Sequence, residues 1–313
     1  MKAAYIETAG APLFGDFIDP KPDGEGIVVD ICAAALTNLD IAIAEGRHYF
    51  SSPSFPQVVG REAVGRTQDG RRLYFNVNSM IAPFGAMAQK ALVREQFALP
   101  VPDGIDDVRA AALGNAGLAA WLPLSWRAQM TAGEKVLIIG ATGASGLIAV
   151  AAAKLLGAGR IVAAGRSHDA LAKALRLGAD ETVDLANGAD LAAAFREAAR
   201  GEVDVVIDYL NGPPAEAALR VMAKGGRMVQ IGQMLAPGIH VPAALARRQS
   251  LDILGFAYYH APMEAQAAAY DVLCRHSMAG RIEIATDTHS LRDISETWAA
   301  QKAGSRARLV LKP

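Results

Sequence analysis

Cysteine is nearly absent. Cys32 and Cys274 are the only two, far apart and in no ligand-like spacing. Two isolated thiols exclude a disulfide scaffold and a thiolate-built zinc lobe, and they suit a reducing compartment such as the cytoplasm. Excess charge of either sign is lacking too. The chain has 31 Lys and Arg against 32 Asp and Glu, a net charge of -1, so no overall field draws it to nucleic acid or anionic lipid. Long hydrophobic runs are missing as well. The opening Met-Lys-Ala-Ala-Tyr-Ile-Glu has no extended apolar segment, and runs such as 136–139 are far below spanning length. No targeting signal and no membrane span are therefore expected. Aromatic residues are few at 6%, and neither internal repeats nor a low-complexity linker is evident.

What remains is aliphatic and rich in glycine: 313 residues, 52% hydrophobic, with 30 Gly. That length is ordinary for two domains with sizeable cores. The first third reads as strands at 3–7, 27–35, 58–66 and 89–93 between turn-rich stretches, which suggests a twisted, mainly antiparallel domain. A helix is expected over 113–130. From there the pattern alternates: strands at 135–139, 161–164, 183–185, 203–207 and 227–231, helices at 147–156, 169–177, 191–199 and 214–222, and a last strand at 251–256. Alternation of this kind predicts an α/β unit, a parallel sheet with helices on both faces. Beyond it a helix is expected at 262–276 and short strands near 282–284 and 308–311. The expected domains are 1–114, 115–256 and a returning tail 257–313 that completes the first.

The strongest local signal is Gly140-Ala141-Thr142-Gly143-Ala144-Ser145-Gly146, between a predicted strand and a predicted helix. Small residues let the backbone turn tightly and approach a pyrophosphate, while the helix's free N–H groups and positive end offset its charge. The spacing is GxxGxxG, a variation on the dinucleotide fingerprint; the rival reading is a packing turn. The next strand ends at Gly165-Arg166-Ser167. An acidic residue there would favour NAD, whereas Arg166 and Ser167 suit a 2'-phosphate, so NADP(H) is the expected cofactor. A solvated surface arginine is the alternative. Later strand ends contribute Asp208, Asn211, Gly232 and Gln233 to the ribose and nicotinamide, with a loop-capping role open for Asp208.

These features, together with Phe55-Pro56-Gln57-Val58-Val59-Gly60-Arg61-Glu62-Ala63-Val64-Gly65 and the returning tail, resemble the medium-chain dehydrogenase/reductase superfamily, in particular zinc-independent quinone oxidoreductases. The resemblance implies a GroES-like, mainly antiparallel β catalytic domain beside a doubly wound Rossmann domain, and a homodimer through the edge strand 251–256 of the Rossmann sheet. Zinc-dependent relatives would carry a metal-binding Cys and His where this sequence has Asn38 and Arg61, so no metal is expected. The usual Gly-Asp-Arg-Val segment is hard to recognise in Asp69-Gly70-Arg71-Arg72-Leu73.

The resemblance places Asn38 in the catalytic loop, where its amide can orient an acceptor oxygen or the cofactor. Tyr49, nearby, can stabilise developing charge or donate a proton. Both also have ordinary structural readings, as a turn and as packing. Asp40 and Glu62 read as structural, Asp40 bracing its loop and Glu62 accepting backbone or Arg61 hydrogen bonds. Phe50, Phe84, Phe256 and Tyr259, with Tyr49, offer flat apolar surface to a small conjugated acceptor. The expected activity is NADPH-dependent reduction of quinones or conjugated enones by hydride transfer. A zinc-independent alcohol or carbonyl dehydrogenase and a non-enzymatic NADP-binding redox sensor are the alternatives.

Overall fold

The apolar run Val136, Leu137, Ile138 and Ile139 is wholly inaccessible to solvent, as expected of a central parallel strand covered on both faces. In the computed structural model, which describes residues 1–313 except positions 23, 52, 53, 189 and 306, the chain divides into two compact units. One is Met1–Asn115 with Tyr270–Pro313; the other is Ala116–Ala269.

The second unit holds a six-stranded sheet in the order Glu181–Asp184, Arg160–Gly165, Lys135–Ile139, Val203–Asp208, Met222–Gln230, Asp252–Gly255. Every neighbouring pair is parallel. The chain builds outward from Lys135–Ile139 in one direction, then returns to its other side through Val203–Asp208, the doubly wound order. The crevice outside the strand ends at that reversal is where such sheets take ligands. Helices Ala144–Leu155, His168–Arg176, Leu191–Ala198 and Pro213–Leu219 alternate with the strands. Phe195, Leu219, Met222 and Met228 fill the core beside the sheet residues Leu137, Val162 and Val206.

The first unit is mainly antiparallel. A three-stranded sheet runs Leu13–Asp16, Lys2–Ile6, Gln57–Val58. A larger one runs Thr286–Ser290, Arg308–Lys312, Ile27–Ala35, Glu62–Arg66, Arg72–Asn76, Leu99–Pro100, with Lys90–Val93 also paired to Ile27–Ala35. Among the described residues of this unit, only Thr286–Ser290 and Arg308–Lys312 pair in parallel. The tail thus supplies two strands to this sheet. The stretch expected as one strand over 58–66 is broken at Gly60, whose φ of +93° turns the chain between sheets.

Other expectations shift. The helix expected over 113–130 is Asp107–Leu122 followed by a wide π turn, Pro123–Arg127; Pro123 has no N–H to continue the regular ladder. Helix Asn38–Ala44 was not legible as a helix, being short and started by a local cap. Helix Ala243–Gln249 buries none of its residues and shows no apolar period. No strand forms at 282–284; the strand is Thr286–Ser290, whose sequence TDTHS carries no hydrophobic signal. The second unit extends past 256, through Tyr258–His260 and into helix Met263–Met278. Among the described residues no helix is long and apolar enough to cross a membrane.

Within the first unit a buried cluster secures helix Asp107–Leu122. The Tyr74 ring stacks on Tyr270 with centroids 4.9 Å apart, and the Tyr270 hydroxyl donates to the Ala110 carbonyl at 2.9 Å. A Cβ on Gly114 would lie 1.9 Å from Tyr74 Cε2, so only glycine lets the helix approach that ring. The Glu62 carboxylate accepts from the Tyr74 hydroxyl at 2.8 Å and the Asn115 N–H at 2.7 Å, and pairs with Arg308.

Candidate functional site

At the end of strand Lys135–Ile139 the chain reverses at Gly140, with φ +86°, and enters helix Ala144–Leu155. Gly146 seats that helix on the turn, since a Cβ there would lie 2.3 Å from the Gly140 carbonyl oxygen and 2.6 Å from Ala141 Cα. Gly143 faces open space: the nearest atom to a Cβ at that position is the Gly140 oxygen, at 3.7 Å. No side chain caps the helix. Its first-turn N–H groups, on Ala144, Ser145 and Gly146, have no intrahelical acceptor and sit at the positive end of the dipole, an anion-receptive arrangement.

Neighbouring strand ends are drawn to this turn. Thr142 packs over Gly165 so closely that a Cβ there would lie 2.3 Å from Thr142 Cγ2. Arg166 follows with an exposed side chain. Ser167 caps helix His168–Arg176, its hydroxyl accepting the Ala170 N–H at 3.4 Å, so its oxygen already has a structural duty. A Cβ on Gly140 would touch Tyr209 Cβ and Leu210 Cγ, each at 3.1 Å. The turn and the end of strand Val203–Asp208 therefore meet at the reversal of the sheet.

Asp208 is fully buried. Its Oδ1 accepts the N–H groups of Leu210 and Asn211, both at 2.9 Å, closing a turn whose residues Asn211 and Gly212 have φ of +64° and +71°. Oδ2 has no partner among the described residues. Burial pushes the carboxyl up from its ordinary range, opposed by the two N–H groups. The geometry thus gives Asp208 the loop-closing role that stood beside ligand contact. Asn211 Nδ2 donates to the Ala236 carbonyl at 3.0 Å, and the Leu235 N–H to the Leu210 carbonyl at 2.9 Å. Gly232 lies against this turn, where a Cβ would meet the Tyr209 oxygen at 2.3 Å. Gln233 is exposed, and Met234 and Leu235 beside it are 68% and 43% exposed.

In the first unit Thr37 caps helix Asn38–Ala44. Its hydroxyl accepts the Asp40 N–H at 3.1 Å and donates to Asp40 Oδ2 at 2.7 Å, while its own N–H donates to the same oxygen. Asn38 is exposed at the first helical position, and its Oδ1 accepts from Gln301 Nε2 at 2.8 Å. Tyr49 is 72% exposed, in ring contact with His48 at 3.9 Å and Phe50 at 4.8 Å between centroids. His48 Nδ1 accepts the Phe50 N–H at 3.1 Å, and burial lowers the imidazole pKa. Phe84 is buried, edge-on to Phe17 at 6.3 Å, and lines a cavity together with Ile18, Ile81, Ala82 and Leu92. Phe256 lies 6.2 Å from Trp126, and Tyr259 packs edge-on against Tyr258.

Of the two kinds of partner expected for Glu62, the structure supplies a backbone N–H, that of Asn115, and not Arg61. Glu62 is taken by Arg308, Tyr74 and Asn115, leaving Arg61, among the described residues, with one hydrogen bond, to Gln57 Oε1 at 3.2 Å. Among the described residues, no group of three or more His, Cys, Asp or Glu side chains stands together.

Residues 144–273 match the zinc-binding dehydrogenase family. Over 304 residues the chain is 30% identical to a phenolphthiocerol/phthiocerol polyketide synthase of Mycobacterium tuberculosis, covering 91% of this chain and 13% of that protein. The chain therefore spans about an eighth of the length of that relative. A mycobacterial quinone oxidoreductase shares the fold with a TM-score of 0.89 at 20% identity, both chains fully covered. The quinone oxidoreductase of Thermus thermophilus, solved also with NADPH, is 26% identical with a TM-score of 0.78 and full coverage of both chains.

Proposed function

Because the chain belongs to the medium-chain dehydrogenase/reductase superfamily and is quinone-oxidoreductase-like, we propose that it is an NADPH-dependent oxidoreductase that reduces quinones or conjugated enones without a metal. The observation that carries this reading is the uncapped helix Ala144–Leu155, set by Gly140, Gly143 and Gly146 at the reversal point of a doubly wound sheet. When bound, NADP(H) supplies the hydride. The chain's own residues bind and orient. Gly143 lets the backbone approach the pyrophosphate, the N–H groups of Ala144, Ser145 and Gly146 receive it, and Thr142 shapes the turn over Gly165. Arg166 and Ser167 meet the 2'-phosphate, and Arg166, exposed and without a carboxylate partner among the described residues, suits that role. Asp208 and Asn211 hold the strand-end loop, and Gly232 and Gln233 approach the nicotinamide half. Asn38 and Tyr49 are the acceptor-side candidates, Asn38 to orient an oxygen and Tyr49 to supply a proton or a ring face.

Purified protein should oxidise NADPH in the presence of quinones or conjugated enones, and Arg166→Asp should raise the NADPH Michaelis constant about tenfold to a hundredfold while leaving that for NADH nearly unchanged. Equal changes for both cofactors would remove Arg166 from the 2'-phosphate site. Turnover confined to simple ketones would favour a carbonyl dehydrogenase, and cofactor binding without turnover a redox sensor.

The same reading includes a homodimer. Strand Asp252–Gly255 is an outer strand of its sheet, paired only with Met222–Gln230 among the described residues, and its Ile253 is 41% exposed. An unpaired strand edge with an apolar side chain suits pairing with a second copy. Light scattering should give twice the chain mass; a constant monomer mass over a wide concentration range would contradict it.

A further inference from the structure

Three partly buried arginines of the protein are matched to carboxylates: Arg72 pairs with Asp107, Arg227 with Glu134 and Arg308 with Glu62. Arg61 is different: no carboxylate bonds to it among the described residues, and its single hydrogen bond goes to the neutral Gln57 amide. The carboxylate that acts on it is Asp40, close enough for each to feel the other. Asp40 does not close the pair. Its Oδ2 is occupied by Thr37, and its Oδ1 is buried with no partner among the described residues. Arg61 therefore has no bonded anion among the described residues, and none of its nitrogens is buried without a partner, so its remaining donors are open rather than sealed in the core.

Resting on the reductase reading above, we propose that Arg61 is the acceptor-oxygen site: its guanidinium N–H groups receive the carbonyl oxygen of the conjugated acceptor and hold the negative charge that reduction places there. Asp40 is a positioning residue for it. Asn38, two residues ahead of Asp40 at the start of the same helix, borders the site. The step balances without a proton from arginine. As hydride adds to the β-carbon with its electron pair, the C=C electrons move onto the oxygen, which the guanidinium stabilises. A proton from water then completes the saturated carbonyl product, and the dinucleotide is left oxidised. Arginine suits the role because it keeps its charge and presents a rigid fork of donors. Desolvation lowers the Arg61 pKa, with Asp40 acting in the opposite sense, and a partly desolvated cation is a stronger partner for a developing oxyanion than a hydrated one.

The test uses para-nitrophenol, a coloured mimic of an enolate whose ionisation is read by absorbance without any turnover. The wild-type protein should bind it and lower its apparent pKa. Arg61→Gln should lose that shift and weaken binding about tenfold or more, with the NADPH fluorescence titration unchanged as proof of an intact fold. Arg61→Lys, which keeps the charge but not the fork, should retain part of the shift. Wild-type protein that leaves the dye's pKa unmoved, or Arg61→Gln protein that binds the dye as well as wild type, would overturn the proposal. A wild type that shifts the dye through Arg61 yet reduces no acceptor would overturn the reductase reading and leave the oxyanion site standing. With an active acceptor, Arg61→Gln should lower kcat on the order of a hundredfold.

Discussion

Glu62→Ala should destabilise the protein by about 3–5 kcal/mol, read as a fall in the urea midpoint with an unchanged slope. Glu62 is 1% exposed. Burial pushes its carboxyl up, and Arg308 is the largest influence pulling it back. Removing the carboxylate leaves the Arg308 guanidinium buried without its anion and the Tyr74 hydroxyl and Asn115 N–H without an acceptor. Each of those groups has been taken out of water, and none regains it in the variant. The companion measurement is the double variant Glu62→Leu with Arg308→Met, in which no charge is stranded. It should recover most of the loss, because a buried ion pair contributes little over well-packed apolar replacements. A Glu62→Ala midpoint within experimental error of wild type would show that the pair is not holding the helix.

Gly146→Val should lose dinucleotide affinity on the order of a hundredfold or more and about 1–3 kcal/mol of stability as well. The atoms that a side chain would strike are backbone, the Gly140 oxygen and Ala141 Cα, so no rotamer change relieves the overlap and the helix must move off the turn. Gly143→Ala separates binding from folding. Its φ of -83° suits any residue and its Cβ would enter open space, so stability should hold within about 0.5 kcal/mol. If a pyrophosphate lies against that backbone, the methyl group meets the ligand alone and affinity falls in a titration with NADPH. A Gly143→Ala protein with wild-type affinity would move the phosphates away from Gly143.

Much of the second unit could be read in advance because its strands are buried on both faces. Continuous runs such as Val136–Ile139 (0% exposed) need no alternation to be recognised, and the glycine turn follows directly from one of them. The first unit was harder. Strand Thr286–Ser290 is built from polar residues and is ordered by its pairing with Arg308–Lys312, a contact invisible to local pattern. Among candidate site residues, Ser167 and Asp208 have the side chains that cofactors seek and turns use equally; only the observed N–H partners distinguish these duties. Phe84 illustrates the converse, since an aromatic ring in a loop sequence says nothing about which way it faces. The pairing of Glu62 with Arg308, across most of the chain, takes the carboxylate that adjacency had offered to Arg61, which bonds to no carboxylate among the described residues.

The segment after Gln230 is staked to the turn beyond Asp208 by the Leu235 amide on Leu210 and the Ala236 carbonyl on Asn211. Both anchors are main-chain atoms on the segment's side, so the exposed side chains of Met234 and Leu235 are not needed for these hydrogen bonds. Mutation can therefore reshape what this loop presents while the scaffold beneath it stays in register, which makes the stretch a place where descendants of this chain can acquire new preferences at small structural risk.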